Sequence, residues 1–166
     1  MSSFAAARSL PLLFDAVGEE TIHIPPAVQQ ELQEGVAYGL SYLSCITFAV
    51  DKGDIQVLAV TKQDREQMAL LPTSFGHGER EAVALCFRLR ATLLSNEKRV
   101  VNHCKRVGIH CLKLKTLLKM LWREGIASKA KVKTMMHRMT QVEGLVFKRP
   151  SEILTDALDE LDPLRI

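Results

Sequence analysis

A helix followed at once by a short apolar strand is the feature that most constrains this fold, and it lies within residues 78–98. The segment reads GEREAVALCFRLRATLLSNEK. Its apolar residues recur near helical spacing while the arginines keep to the opposite side, which predicts an amphipathic helix. The run Thr92-Leu93-Leu94, bounded by polar residues, predicts a strand. A helix that leads directly into a strand is typical of an α/β fold.

Carboxylates flank this helix and strand. Glu79 opens the helix and Glu97 follows the strand. Ligands of open α/β sheets bind outside the carboxyl ends of the strands, so both side chains are expected at one crevice. The helix dipole alone is the alternative explanation for each of them. Ser95 and Asn96 either orient water or phosphate there or make hydrogen bonds at the core edge, and Glu81 is expected on the surface.

The segment resembles the core of the PIN-domain ribonucleases, among them toxins of bacterial toxin–antitoxin pairs. The family patterns are GE-x-EA-(I/V)-x-L-A and, later, (L/I)-(L/I)-(S/T)-(N/D)-(D/E)-(K/R). Upstream, residues 22–32 (IHIPPAVQQEL) resemble the family's strand and helix whose glutamate, here Glu31, reaches the metal site. Downstream, residues 98–109 and 117–126 resemble the segments that close the fold. The likeness covers roughly residues 10 to 160.

This resemblance implies one PIN-like domain over residues 1–166, with a three-layer α/β/α arrangement and a mostly parallel central sheet. Family members begin with an apolar strand that ends in an aspartate followed by Ser or Thr. Here Met1-Ser2-Ser3 stands about where that motif would fall. We therefore expect the first strand and the first catalytic aspartate to be missing. Asp15, at the end of the first predicted helix, is a poor substitute.

The resemblance also implies a function. It predicts a metal-dependent endoribonuclease of the toxin–antitoxin type, with activity reduced or lost because the first aspartate is absent. Mg²⁺ or Mn²⁺ would be bound by Glu31, Glu79 and Glu97, the predicted catalytic residues. The alternative is a non-catalytic PIN-like protein that binds RNA or a partner protein such as an antitoxin-like one. A homodimer is expected, since the apolar seam left by a missing strand has to be covered.

Charge is concentrated in one half of the chain. Residues 98–138 contain 12 Lys or Arg and one acid, Glu124, a net charge of +11 in 41 residues, whereas the whole chain carries +3. Such a basic half attracts phosphates. The alternative is that each cation lies on the solvated side of an amphipathic helix. The predicted RNA-binding or phosphate-binding residues are Lys98, Arg99, Lys105 and Arg106 of this basic half, together with Ser95 and Asn96 just before it.

Composition fits an ordinary globular domain, because 47% of the residues are hydrophobic and 25% are charged. The chain has no uncharged apolar run of about 18 residues and no signal-peptide pattern, so a cytoplasmic location is expected. The four cysteines have no CxxC spacing, which fits reduced thiols. The pairs His103-Cys104 and His110-Cys111 are a weak zinc signal, because one residue of each pair would point away.

The remainder is expected to be scaffold. An antiparallel hairpin is predicted from the apolar runs 43–50 and 55–60 about the turn Asp51-Lys52-Gly53-Asp54. His77 is expected in a loop, either free at the surface or in contact with phosphate. The other predicted elements are a first helix over 5–17, a short helix capped by Thr61, a loop over 71–78, helices over 115–124 and 128–141, and a last helix over 150–161 capped by Ser151.

Overall fold

The structure is a computed structural model that describes residues 1–155 of the 166-residue chain. Short parallel strands alternate with helices, so the fold is α/β as predicted. In chain order the elements are α1 (Ser2–Ala6), α2 (Leu10–Val17), β1 (Ile22–Ile24), α3 (Pro26–Ala37), a 3-10 turn (Ser41–Leu43), α4 (Ser44–Lys52), β2 (Ile55–Val57), α5 (Lys62–Ala69), α6 (His77–Leu89), β3 (Leu93–Leu94), α7 (Lys98–Arg106), β4 (Cys111–Leu112), α8 (Leu114–Arg123), α9 (Lys129–Glu143) and α10 (Pro150–Leu154).

The strands form two separate parallel pairs in the described part of the chain. In the first pair β1 lies beside β2, with Ile22 opposite Ile55. In the second pair β3 lies beside β4, with Leu93 opposite Cys111. Parallel neighbours need a long crossover connection, which α3 and α4 supply for the first pair and α7 supplies for the second. The predicted parallel direction of the strands is confirmed, but the strands form two short pairs instead of the one central sheet that the sequence predicts.

The predicted hairpin over residues 43–60 is wrong. Its first half is the helix α4, and its second half contains β2, which pairs in parallel with β1. Leu43, Ile46 and Ala49 are buried, and they recur every three residues as on a helix rather than every second residue as in a strand. The apolar and β-branched composition of this short run made it resemble a strand.

The predicted first helix over residues 5–17 is two helices. Arg8, between α1 and α2, has a φ of 52°, which interrupts the helical backbone. Pro11 is the second residue of α2. In a continuous helix its ring would collide with the carbonyl group four residues earlier, so a new helix begins instead.

The last helix begins at Pro150, after Arg149. Ser151 therefore lies inside α10 and does not cap it, contrary to the prediction, because the proline occupies the first helical position. The helix ends at Leu154. Residues 156–161 of the predicted helix lie outside the described residues. None of the helices within residues 1–155 has both the length and the apolar character needed to cross a membrane.

Two apolar clusters hold the described elements together. The larger one joins α1, α2, the first strand pair, α8 and α9, and includes the fully buried Leu13 and Leu118. The smaller one lies among α6, α7 and the second strand pair, and includes Val83 and Cys104. The helices predicted at 115–124 and 128–141 are confirmed as α8 and α9, and their apolar sides face the larger cluster.

A buried carboxylate joins α5 to α6. Thr61 caps α5 as predicted: its hydroxyl accepts the Asp64 N–H, and the Asp64 carboxylate accepts the Thr61 N–H. Asp64 is 1% exposed, and its Oδ1 is 2.9 Å from the Arg88 Nε of α6. Burial opposes ionisation of Asp64, but the hydrogen bonds from Arg88 and Thr61 outweigh it and lower the pKa. The carboxylate is thus ionised and paired.

We predict that Asp64→Ala lowers the free energy of unfolding by about 3 kcal/mol, the lower end of the range for breaking a buried pair, because Arg88 stays partly solvated. The folded-state pKa of Asp64 lies below its unfolded value of about 3.9. The stabilisation is therefore present above about pH 4 and is lost as pH falls through the folded-state pKa. Urea unfolding at neutral and at acidic pH measures both effects.

The control is Lys62→Ala, which breaks the exposed pair with Glu66, where the two side chains are 87% and 66% exposed. This change should cost less than about 1 kcal/mol. Equal losses for the two variants, or an Asp64→Ala loss that persists unchanged in acid, would contradict the role given to Asp64.

Candidate functional site

Glu79 lies in the first turn of α6, as predicted. Its Oε2 is 2.8 Å from the Gly76 nitrogen and accepts that N–H, so the side chain closes the start of the helix. The same oxygen is 3.9 Å from Arg99 Nη2 on α7. Both side chains are partly exposed, so the ion pair itself is weak. It nevertheless shows that the first turn of the basic helix α7 lies beside the start of α6.

Glu31, on α3, lies against the same turn of α6. A Cβ placed on Gly78 would come within 2.8 Å of Glu31 Oε1 and 3.0 Å of Val28 Cγ2. Helices α3 and α6 can approach this closely here because residue 78 has no side chain. The structure therefore brings Glu31 and the start of α6 together.

Glu81 is buried, which corrects the prediction that it is exposed. It is 6% exposed, and its Oε2 is 2.8 Å from the Ala27 nitrogen in the first turn of α3. Its Oε1 is 3.6 Å from His77 Nε2, and His77 is the first residue of α6 rather than a loop residue. The burial had a signal in the sequence, because Glu81 shares one helical face with the apolar Ala84 and Leu85.

The polar residues after β3 make structural hydrogen bonds. The Ser95 hydroxyl accepts the Glu97 N–H, with Oγ 3.2 Å from the nitrogen. Asn96 Oδ1 accepts the Leu114 N–H at 2.9 Å and so ties the end of β3 to α8. Of the two interpretations left open for Ser95 and Asn96, these contacts support hydrogen bonding at the core edge. Glu97 is exposed and precedes α7 without a side-chain capping bond.

The cations of α7 share one exposed side of the helix. Residues seven apart lie two turns apart on the same face, which pairs Lys98 with Lys105 and Arg99 with Arg106. All four are exposed, and Val100, Val101 and Cys104 form the buried side. The solvated-face alternative describes their exposure equally well. Among the other cations of the basic half, Lys119 is buried at 5% exposure.

The two His–Cys pairs have different surroundings. The His103 and Phe75 rings lie nearly perpendicular to each other, with ring centroids 5.5 Å apart. His110 Nδ1 is 3.2 Å from the Thr92 hydroxyl oxygen. Cys104 belongs to the smaller apolar cluster. Each histidine therefore contacts a residue outside the two His–Cys pairs, His103 contacting Phe75 and His110 contacting Thr92.

Comparison with protein-family models matches residues 1–162 to the family DUF3368, described as a PIN domain. Neither the comparison with curated proteins nor the comparison with solved structures gave a match.

PIN domains generally use divalent metal ions. Carboxylate oxygens are suitable donors for such hard cations. However, within residues 1–155 no three His, Cys, Asp or Glu side chains are grouped so that they could hold a metal ion. Glu79 and Glu81 each already accept a backbone N–H. In this arrangement the described residues do not fit a metal centre, and we derive no catalytic step through one.

We predict that Glu81→Ala lowers the free energy of unfolding by about 2 kcal/mol, because the buried Ala27 N–H would lose its acceptor. Glu81→Gln should cost less, since its amide oxygen can still accept that N–H. Urea denaturation of the purified variants measures the difference.

Glu97→Ala is the control, because Glu97 is an exposed glutamate that precedes α7 and makes no side-chain capping bond; its effect should stay within about 0.5 kcal/mol. A Glu81→Ala protein as stable as the unmodified chain would show that this capping bond does not hold α3.

Proposed function

The chain belongs to the PIN-domain family, and we propose that it is an endoribonuclease that binds RNA along α7 and acts on it at the start of α6. The proposal rests on the 3.9 Å contact between Glu79 and Arg99, which places the basic helix α7 beside the first turn of α6. Guanidinium groups bind phosphate, and carboxylates orient water and accept protons. An RNA strand held by α7 would therefore lie beside Glu79 and Glu31.

Electrostatics supports RNA as the ligand. The net charge of +11 over residues 98–138 contrasts with +3 for the whole chain. Contacts between cations and phosphates release counterions from the nucleic acid, and this release supplies much of the binding free energy. Aromatic residues make up only 5% of the chain, so backbone contacts rather than base stacking should dominate. We propose Lys98, Arg99, Lys105 and Arg106 as the contacts.

The second candidate function is non-catalytic binding of RNA or of a partner protein. The observation that favours it is the engagement of the carboxylates: the N–H groups of Gly76 and Ala27 already occupy one oxygen each of Glu79 and Glu81. Carboxylates that serve as helix caps stabilise the fold without any catalytic role. Cleavage assays distinguish the two functions, since only the endoribonuclease turns RNA over.

Four finer points are proposed from family resemblance alone: a toxin-type role; an antitoxin-like protein partner; a homodimer; and use of Mg²⁺ or Mn²⁺, for which Glu31, Glu79 and Glu97 would have to come closer together than they lie in this arrangement. Isothermal titration with Mn²⁺ tests whether the protein binds the metal. Growth arrest on induced expression in bacteria tests the toxin role, and sedimentation tests whether the protein is a dimer. A monomer at tens of micromolar would exclude the homodimer.

We predict that affinity for a single-stranded RNA oligonucleotide falls steeply with salt. The double variant Lys105→Glu/Arg106→Glu should weaken binding and reduce the slope of log affinity against log salt by about 1.4, since each lost phosphate contact removes about 0.7. Fluorescence anisotropy over a potassium chloride series measures both quantities.

The control is Lys52→Glu/Lys62→Glu, which makes the same charge change at exposed positions outside the basic half. It should leave the slope unchanged. Affinity that is independent of salt would point to a protein partner instead of RNA.

We predict that Glu79→Gln lowers the rate constant of RNA cleavage at least about tenfold, or about 1.4 kcal/mol in the activation barrier. The amide oxygen of glutamine can still accept the Gly76 N–H, so the helix cap is retained while the charge is removed. Cleavage of a labelled RNA is followed by gel with Mg²⁺ or Mn²⁺ in the buffer, and circular dichroism checks folding. If the unmodified protein binds RNA but leaves it intact, the non-catalytic function is correct.

A further inference from the structure

Three cysteines from different elements lie at the smaller apolar cluster. Cys86 belongs to α6, Cys104 to α7 and Cys111 to β4. All three are free thiols. Cys104 is 0% exposed and Cys86 is 9% exposed, whereas Cys111 is partly exposed. A small reagent in solution therefore meets Cys111 first.

The turn after α7 brings Cys111 back beside Cys104. Gly108 has a φ of 77°, a left-handed conformation that reverses the chain. Within this turn the Ile109 nitrogen is 2.9 Å from the Cys104 carbonyl oxygen. In the parallel strand pair Cys111 lies opposite Leu93, a buried member of the smaller cluster. Paired residues in neighbouring strands present their side chains to the same face, so Cys111 faces this cluster.

The two thiols interact directly. Their interaction raises the pKa of Cys104 and lowers that of Cys111. Burial raises the pKa of Cys111 as well, although the interaction with Cys104 and the positive charge of Lys113 make the rise smaller. Burial raises the pKa of Cys104 to about 12 and that of Cys86 to about 11. Cys111 is the most exposed of the three thiols, so an oxidant reaches it first, and its thiolate is the form that reacts.

We propose that Cys111 and Cys104 form a two-thiol oxidation site, which closes to a disulfide when the protein meets a hydroperoxide. The Cys111 thiolate attacks one oxygen of hydrogen peroxide, the O–O bond breaks, and a sulfenic acid forms; the hydroxide that leaves takes up the proton released by the thiol and becomes water. The Cys104 sulfur then attacks the sulfenic sulfur, the S–O bond breaks, and a second water leaves. Two thiols lose two electrons and two protons in total, and hydrogen peroxide is reduced to two waters.

The disulfide would close residues 105–110 into a covalent loop that contains Lys105 and Arg106. It would connect the end of α7 to β4 at a point where Gly108 already reverses the chain. The two-thiol site does not depend on the RNA activity proposed above.

The experiment treats the reduced full chain with hydrogen peroxide, blocks the remaining thiols with an alkylating reagent, and maps the digest without reduction. Trypsin cleaves at Lys105 and Arg106, so Cys104 and Cys111 fall in separate peptides, 100–105 and 107–113. The expected result is a linked pair of these peptides, two hydrogen atoms lighter than their sum. Cys111→Ser should abolish the link and leave Cys104 reduced.

Cys45→Ser is the matched control, because Cys45 is exposed on α4 and lies outside the cluster; the 104–111 link should form as before. The proposal is overturned if Cys104 stays alkylatable after oxidation, if Cys86 and Cys104 are linked instead, or if only chain-to-chain links through Cys45 appear. Should Cys111→Ser fail to fold, mapping of the unmodified protein alone decides between these results.

Discussion

A buried carboxylate at the junction of two helices positions the candidate site. Glu81 accepts the N–H of Ala27, and this bond connects the first turn of α3 to α6. A buried charge is tolerated only with partners, and a helix start offers free N–H groups and a favourable dipole. Because this bond holds the two helices together, Glu31 of α3 can lie against Gly78 of α6. Glu79, the next residue of α6, then lies beside Arg99 of α7.

The acidic residues at this junction serve the fold and the proposed chemistry at once. An oxygen of Glu79 or Glu81 that accepts a backbone N–H has less capacity left for a cation or a water molecule. Binding of a divalent ion would therefore compete with helix capping. The same competition explains why the two candidate functions, endoribonuclease and non-catalytic binding protein, can share one set of residues. It also means that removing the carboxylates tests stability and activity together, whereas Glu79→Gln separates charge from capping.

Helix α7 connects the other parts of the molecule. Its exposed side carries Lys98, Arg99, Lys105 and Arg106, and its buried side carries Val100 and Cys104 in the smaller apolar cluster. One short amphipathic helix therefore presents cations to solvent and a thiol to the core. A covalent change at Cys104 would act on the segment that bears Lys105 and Arg106, because only the turn at Gly108 separates α7 from β4.

Local patterns in the sequence determined the helix and strand of residues 78–94, the Thr61 cap, the helices α8 and α9, and the place of Glu79, because each depends on periodicity or capping within a few residues. The family resemblance is confirmed by the match over residues 1–162. Only the tertiary structure decided that residues 44–52 are helical, that β2 pairs in parallel with β1, and that the Ala27 N–H is the partner of the Glu81 carboxylate. Glu81 and Ala27 are 54 residues apart, and Cys111 meets Cys104 through a chain reversal. A short apolar run fits a helix or a strand until its neighbours fix the buried face, and contacts between distant residues depend on how whole elements pack.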